Sequence, residues 1–122
     1  MQVRKNLPFS YRLRFALGGI SHGLRSEHSL RAQVGALVAV LIALAVLRPA
    51  PIWWALVLLA SSTVLAAELF NTALERLADH LHPEVHPEIR IVKDCAAAAV
   101  LICSLGALGV AIALALELWR HQ

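Results

Sequence analysis

Glu68, Asn71, Glu75 and Asp79 fall within AELFNTALERLADHLHPE, directly after PIWWALVLLASSTVLA, a stretch without a single charge. A helix turns about 100° per residue, so with Glu68 at zero, Asn71 falls near 300°, Glu75 near 340° and Asp79 near 20°. The four share an arc of about 80°, which Thr72 at about 40° widens slightly. They line one surface, turned away from lipid.

Two carboxylates a turn or two apart, with an amide between them, have two chemical uses. They can hold a hard divalent cation, since Mg²⁺ takes oxygen ligands and commonly only one or two carboxylates, the rest being water and phosphate oxygens. Alternatively, one of them can take a proton from a hydroxyl, desolvation at the hydrocarbon boundary making a carboxylate a stronger base. The bland reading is a helix end emerging into water, and Asp79 fits it as well as a functional one. Glu68 follows immediately on uncharged sequence, where an intramembrane carboxylate is a functional candidate by default. Glu75 is intermediate.

Further candidates flank the stripe. Lys93 and Asp94 open the last apolar segment, where a lysine can neutralise phosphate charge and a neighbouring aspartate can orient it or bind a ribose or amine; an interfacial lysine with an ion-pair partner explains them equally. In SEHSLR, Glu27 and Arg31 have the i, i+4 spacing of a surface salt bridge, worth about 0.2–0.5 kcal/mol. Glu27 is also placed to meet the stripe as a further metal ligand. His22, His28, His80, His82 and His86 lack the spacing of a metal site, and His86 is the one best placed to approach a nucleotide.

The elements that position these groups belong to a membrane protein. Of 122 residues, 59% are hydrophobic and 16% charged, against typical soluble values of about 45–50% and about 25%. The length suits one domain. Net charge is +3, but six of the eleven Lys and Arg residues (Arg4, Lys5, Arg12, Arg14, Arg25, Arg31) precede Val34. Basic residues ahead of a first span hold that end in the cytoplasm and attract anionic headgroups. Because they lead straight into lipid-type sequence, nucleic-acid binding is not expected. No secretory signal peptide is expected either, since the first apolar run starts some thirty residues in.

Residues 7–28 mix apolar side chains with Arg and His at amphipathic spacing, predicting a surface helix, with Gly18, Gly19 and Gly23 as places for a kink. VGALVAVLIALAVL is short for a bilayer but suffices over about 30–48, with Arg31 and Arg48 snorkelling. RPAP is a tight loop, with Pro51 suited to a first helical turn and Trp53 and Trp54 to an interfacial anchor. The second span is expected over about 52–80 and the third over about 89–119, joined by the proline-containing loop HLHPEVHPE. Basic residues concentrate at the N-terminal segment and the 76–93 loop, which predicts an N-terminus inside and a C-terminus outside. Cys95 and Cys103, eight residues apart on one helix, are about 12 Å apart along its axis and do not bridge.

Three pieces together, Glu27-x3-Arg31 before the first span, AELFNTALERLADHL, and HPEVHPEIRIVKDCAAAAVL, resemble the prokaryotic diacylglycerol kinase family, small membrane-embedded lipid kinases that include undecaprenol kinases. The resemblance runs from FALGGI to the third span. It implies an all-α homotrimer of three-span subunits with an N-terminal surface helix, in the bacterial inner membrane, with ATP and Mg²⁺ bound on the cytoplasmic face. Glu68 would match the general base that deprotonates the lipid hydroxyl, and Glu27 and Glu75 the metal-binding carboxylates. Phe15, Asn71, Glu84, Val85, His86, Lys93 and Asp94, with Glu27 and Glu75, would match nucleotide-contacting positions. Ser29, Leu30, Arg31, Ala32 and Gln33 would match the region that receives the lipid. The chain departs from the pattern in three places. Phe15 stands where some members have tyrosine. Pro8 replaces a basic residue, leaving its phosphate contact to Arg12 or Arg14. Gln33 replaces a carboxylate.

No glycine-rich phosphate loop is present, yet phosphoryl transfer depends chiefly on positioning and charge neutralisation, which Mg²⁺ and lysine can supply. The expected activity is transfer of the ATP γ-phosphoryl group to diacylglycerol, with undecaprenol the alternative acceptor. Two other classes carry similar features. A proton-coupled transporter would pass substrate without consuming ATP, though three spans without paired broken helices suit it poorly. A small structural membrane subunit would copurify with its partner and need no Mg²⁺.

Overall fold

The computed structural model describes residues 6–120 and is all-helical: α1 (Phe9–Ser26), α2 (His28–Leu47), α3 (Pro51–Leu81) and α4 (Pro87–Arg120). α2, α3 and α4 are each long and apolar enough to cross a membrane, which makes this a multi-pass membrane protein. Arg4 and Lys5 lie outside the described residues.

α1 runs unbroken through Gly18 and Gly19, the positions that suggested a kink. What ends it is Glu27, in extended conformation (φ −108°, ψ 118°), its N–H bonded back to the Gly23 carbonyl at 2.8 Å. α2 begins on the next residue. The chain therefore turns from α1 into α2 through one residue, and the i, i+4 salt bridge expected from a continuous Glu27–Arg31 helix does not form. Arg31 instead donates from Nη1 to the Leu24 and Arg25 carbonyls at 3.2 and 3.1 Å, satisfying groups that the end of a helix leaves without partners.

α2 ends at Arg48, which adopts the left-handed conformation (φ 47°, ψ 52°) and donates its N–H to Leu44 O at 2.9 Å. Pro49 then prevents continuation, and Pro51 occupies the first turn of α3. At about 1.5 Å per residue, α2 with 20 residues is about 30 Å long, whereas α3 with 31 and α4 with 34 reach about 46 and 51 Å. α3 and α4 thus outlast a hydrocarbon core of about 30 Å.

α3 is the central element and packs on all three others; its broadest partner is α4. The covered positions include a set on α3 (57, 61, 64, 68, 71, 75, 78) and one on α4 (89, 93, 96, 100, 103, 107, 110, 114) that alternate steps of four and three. That spacing is the 3.5-residue period of an antiparallel coiled-coil seam. Of the alanines 96–99, only Ala96 is buried in this seam. α2 and α4 flank α3 without packing on each other, leaving between them an apolar groove of about 330 Å³ lined largely by alanine and valine, with Gln33 at one end. Little of each span is buried within the single chain.

Candidate active site

Glu68, Asn71 and Glu75 occupy consecutive positions of the α3 seam, so the polar stripe is turned inward along the helix pairing. Glu68 is 7% exposed. Its Oε2 accepts a hydrogen bond of 3.0 Å from Ser29 Oγ, in the first turn of α2. This contact, spanning 39 residues of sequence, exists because the break at Glu27 brings the start of α2 against the middle of α3. The carboxylate is a buried group with a dedicated donor, as a polar group in an apolar setting must be. Thr72, one turn on, is buried beside it.

Asn71 donates from Nδ2 to Glu75 Oε1 at 3.1 Å, and its Oδ1 is buried without a partner among the described residues. An amide with one end tied and an orphaned acceptor at the other is a poised ligand position. Glu75 is half-buried, as is Glu27, whose carboxylate has no hydrogen-bond or ion-pair partner among the described residues. Among those residues, no three His, Cys, Asp or Glu side chains are grouped to hold a metal by themselves. Hard oxygen donors from Glu27, Glu75 and Asn71 nevertheless fit the chemistry of Mg²⁺, which needs few protein ligands when phosphate supplies the rest.

Lys93 is paired across the helix pair. Its Nζ contacts Asp79 Oδ1 directly. The neighbour expected to orient it, Asp94, lies instead 3.9 Å from Arg90 Nε on the outer face of α4. Adjacent helical residues point about 100° apart and cannot serve each other. Asp79 is thus the partner that aims Lys93, a role its helix-end position in the sequence did not reveal.

Glu84, Val85 and His86 are exposed in the loop between α3 and α4. His86 precedes α4 and accepts the Glu88 N–H on Nδ1 at 3.2 Å while its carbonyl takes the Arg90 N–H at 3.0 Å; it is the N-cap of α4. Its ring stands 5.1 Å from that of His82, whose Nδ1 is buried and unpartnered among the described residues. Phe15 is exposed on α1. In the segment expected to receive lipid, Ser29, Arg31 and Ala32 are exposed and Gln33 is half-buried, whereas Leu30 is only 3% exposed. Leu30 packs under α1: a Cβ placed on Gly23 would stand 2.8 Å from Leu30 Cδ2 and from Leu69 Cδ2. Leu30 therefore belongs to the helix packing and presents no open surface.

At the end of the helices that carries this cluster, the described basic residues are Arg12, Arg14, Arg25, Arg31, Arg76, Arg90 and Lys93; Arg48 and Arg120 lie at the other. A second groove, of about 540 Å³, separates α1 from α3 beside Gly23 and Thr72, with Arg76 at its rim.

Known proteins share this arrangement of sequence. The chain is 36% identical over 107 residues to a diacylglycerol kinase from Synechocystis sp., covering 87% of this chain and 60% of that protein. It is 32% identical over 84 residues to an undecaprenol kinase from Bacillus subtilis, covering 69% of this chain and 68% of that protein. The chain thus spans about three-fifths of the length of the Synechocystis relative. The model of the prokaryotic diacylglycerol kinase family matches residues 14–115, and with that extent of agreement this chain belongs to the prokaryotic diacylglycerol kinase family.

Proposed function

We propose that the chain is a lipid kinase that transfers the γ-phosphoryl group of ATP to the primary hydroxyl of diacylglycerol, giving phosphatidic acid at the cytoplasmic face of a bacterial inner membrane. The observation that carries this reading is the buried carboxylate of Glu68, held by Ser29 at the boundary where the uncharged part of α3 ends. Glu68 takes the proton of the lipid hydroxyl as its oxygen attacks phosphorus. Glu27 and Glu75, with Asn71 Oδ1, would hold the magnesium ion that accompanies ATP. When bound, that ion neutralises charge on the β- and γ-phosphates. Lys93, aimed by Asp79, adds a positive charge from the same end of the molecule. Glu84, Val85 and His86, exposed in the loop before α4, and Asp94 would contact the nucleotide, and Phe15 would offer a flat face for the base. Arg31, Ala32 and Gln33 would face the lipid.

The concentration of arginine and lysine at the catalytic end supports a cytoplasmic orientation. The uncovered apolar surface of α2 and α4 supports assembly as a homotrimer. Undecaprenol is the second acceptor considered, because the Bacillus relative carries that name.

Transfer of labelled phosphate from ATP to diacylglycerol, undecaprenol and ceramide in detergent micelles tests the activity and ranks the acceptors. Replacement of Glu68 by Gln should lower turnover by about 10²–10⁴-fold, the usual contribution of general-base catalysis, while assembly and ATP binding persist. Normal turnover in purified Glu68→Gln protein would end the assignment of the base.

A further inference from the structure

We infer that Ser29 is a positioning residue for the proton transfer, fixing which oxygen of Glu68 accepts the proton; this rests on the base assignment proposed above. Glu68 has three rotatable bonds before its carboxylate, and the cost of ordering such a side chain must be offset by a directional partner. Ser29 is that partner. Its Oγ donates to Oε2 at 3.0 Å, from a different helix. Oε1 accepts no hydrogen bond among the described residues, yet it is not among their buried, unpartnered oxygens. One oxygen is occupied and the other remains approachable.

The division of labour has a chemical consequence. A carboxylate with both oxygens free can rotate away from an incoming hydroxyl. With Oε2 tied to α2, Oε1 is left as the proton acceptor. A serine hydroxyl suits the whole cycle, because it donates equally to a carboxylate oxygen and to the carbonyl-like oxygen of the protonated acid. The tether therefore survives when Oε1 takes the proton from the lipid alcohol and when it later releases that proton to water. Ser29 neither gives nor receives a proton overall.

The tether also depends on the turn at Glu27. Ser29 is two residues beyond the only extended residue between α1 and α2, and Leu30 beside it is locked under Gly23. The position of the hydroxyl is thus set by backbone packing rather than by a mobile loop.

The test compares Ser29→Ala with Ser29→Thr, each purified in detergent and assayed with dioleoylglycerol and ATP. Ser29→Ala is expected to lower kcat about tenfold, within the range that small misplacements of reacting groups produce, with KM for both substrates within about twofold of the parent. Ser29→Thr keeps the hydroxyl and should recover most of kcat. In a Glu68→Gln background, Ser29→Ala should cause no further loss, since there is no base left to orient. A parental kcat in Ser29→Ala, a loss expressed in KM alone, or Ser29→Thr as slow as Ser29→Ala would each overturn the proposal. Full activity in Glu68→Gln alone would instead remove the base assignment beneath it.

Discussion

Two glycines of α1 set up a comparison in which the same chemical change should have opposite signs. At Gly18 a Cβ would meet nothing within 4 Å, whereas at Gly23 it would stand 2.8 Å from Leu30 Cδ2 and 2.8 Å from Leu69 Cδ2. Carbon atoms in favourable contact are about 3.5–4.0 Å apart, so Gly23→Ala forces two leucines on two helices to move by about 0.7 Å or more. Overpacking of this kind costs about 1–3 kcal/mol, and the gain in helix propensity from Gly to Ala returns about 1 kcal/mol. The net expectation is a destabilisation of about 1 kcal/mol for Gly23→Ala. Gly18→Ala, with the propensity gain unopposed, should stabilise by about 1 kcal/mol. Gly23→Val adds further methyl groups to the same crowded space and should cost about 3 kcal/mol. Thermal unfolding of the detergent-solubilised protein reads the sign directly: Tm rises for Gly18→Ala and falls for Gly23→Ala and further for Gly23→Val. Activity gives a second readout. The displaced leucines adjoin Ser29 and Glu68 in sequence, so phosphate transfer at a temperature below both unfolding transitions should fall in the Gly23 variants and not in Gly18→Ala. Gly23→Val with parental Tm and turnover would refute the claim that α1 is seated on α3 through this glycine.

Lys93→Met should raise KM for ATP about tenfold or more under the proposed activity, and Asp79→Asn should reproduce part of that effect by releasing the lysine, while Asp94→Asn should leave Lys93 in place; steady-state kinetics over ATP concentration separates the three. Arg48→Gly should stabilise by up to about 1 kcal/mol, because a residue at φ 47° bears a steric cost that glycine does not; a fall in Tm would contradict it. His86→Ala removes the acceptor for the Glu88 N–H and should cost about 0.5–2 kcal/mol at the start of α4, visible as faster amide exchange over 88–91 with the remainder of α4 unchanged.

Much of this arrangement is legible in the residues. Long apolar runs, with Arg48-Pro49 and the prolines 83 and 87 between them, announce the three long helices, and the charged turns at 68–79 and 88–94 extend α3 and α4 beyond the apolar runs. The shared face of Glu68, Asn71 and Glu75 follows from the helical angle. What the angle cannot give is which helix stands opposite. The tether from Ser29 to Glu68 and the pairing of Lys93 with Asp79 are tertiary contacts, set by the packing of α2 and α4 on α3. Sequence spacing favoured the local pairs Glu27–Arg31 and Lys93–Asp94 instead. The first fails because Glu27 is not helical, the second because neighbours on a helix diverge. The resemblance implies a lipid contact for Leu30, whereas its burial under Gly23 is a contact between helices that no periodicity encodes.

The surplus length of α3 makes it a ruler. Eleven residues separate Glu68 from Asp79, about 16 Å along one stiff rod, so the buried carboxylate and the ion pair with Lys93 near the helix end keep a fixed offset whatever the lipids do. The offset cannot adapt, but the bilayer can thicken or thin around it. A membrane thicker or thinner than the uncharged stretch 51–67 would shift the bilayer surface relative to the site end of α3, where a lipid hydroxyl must meet Glu68, so turnover under the proposed activity should peak at one acyl-chain length and decline on both sides.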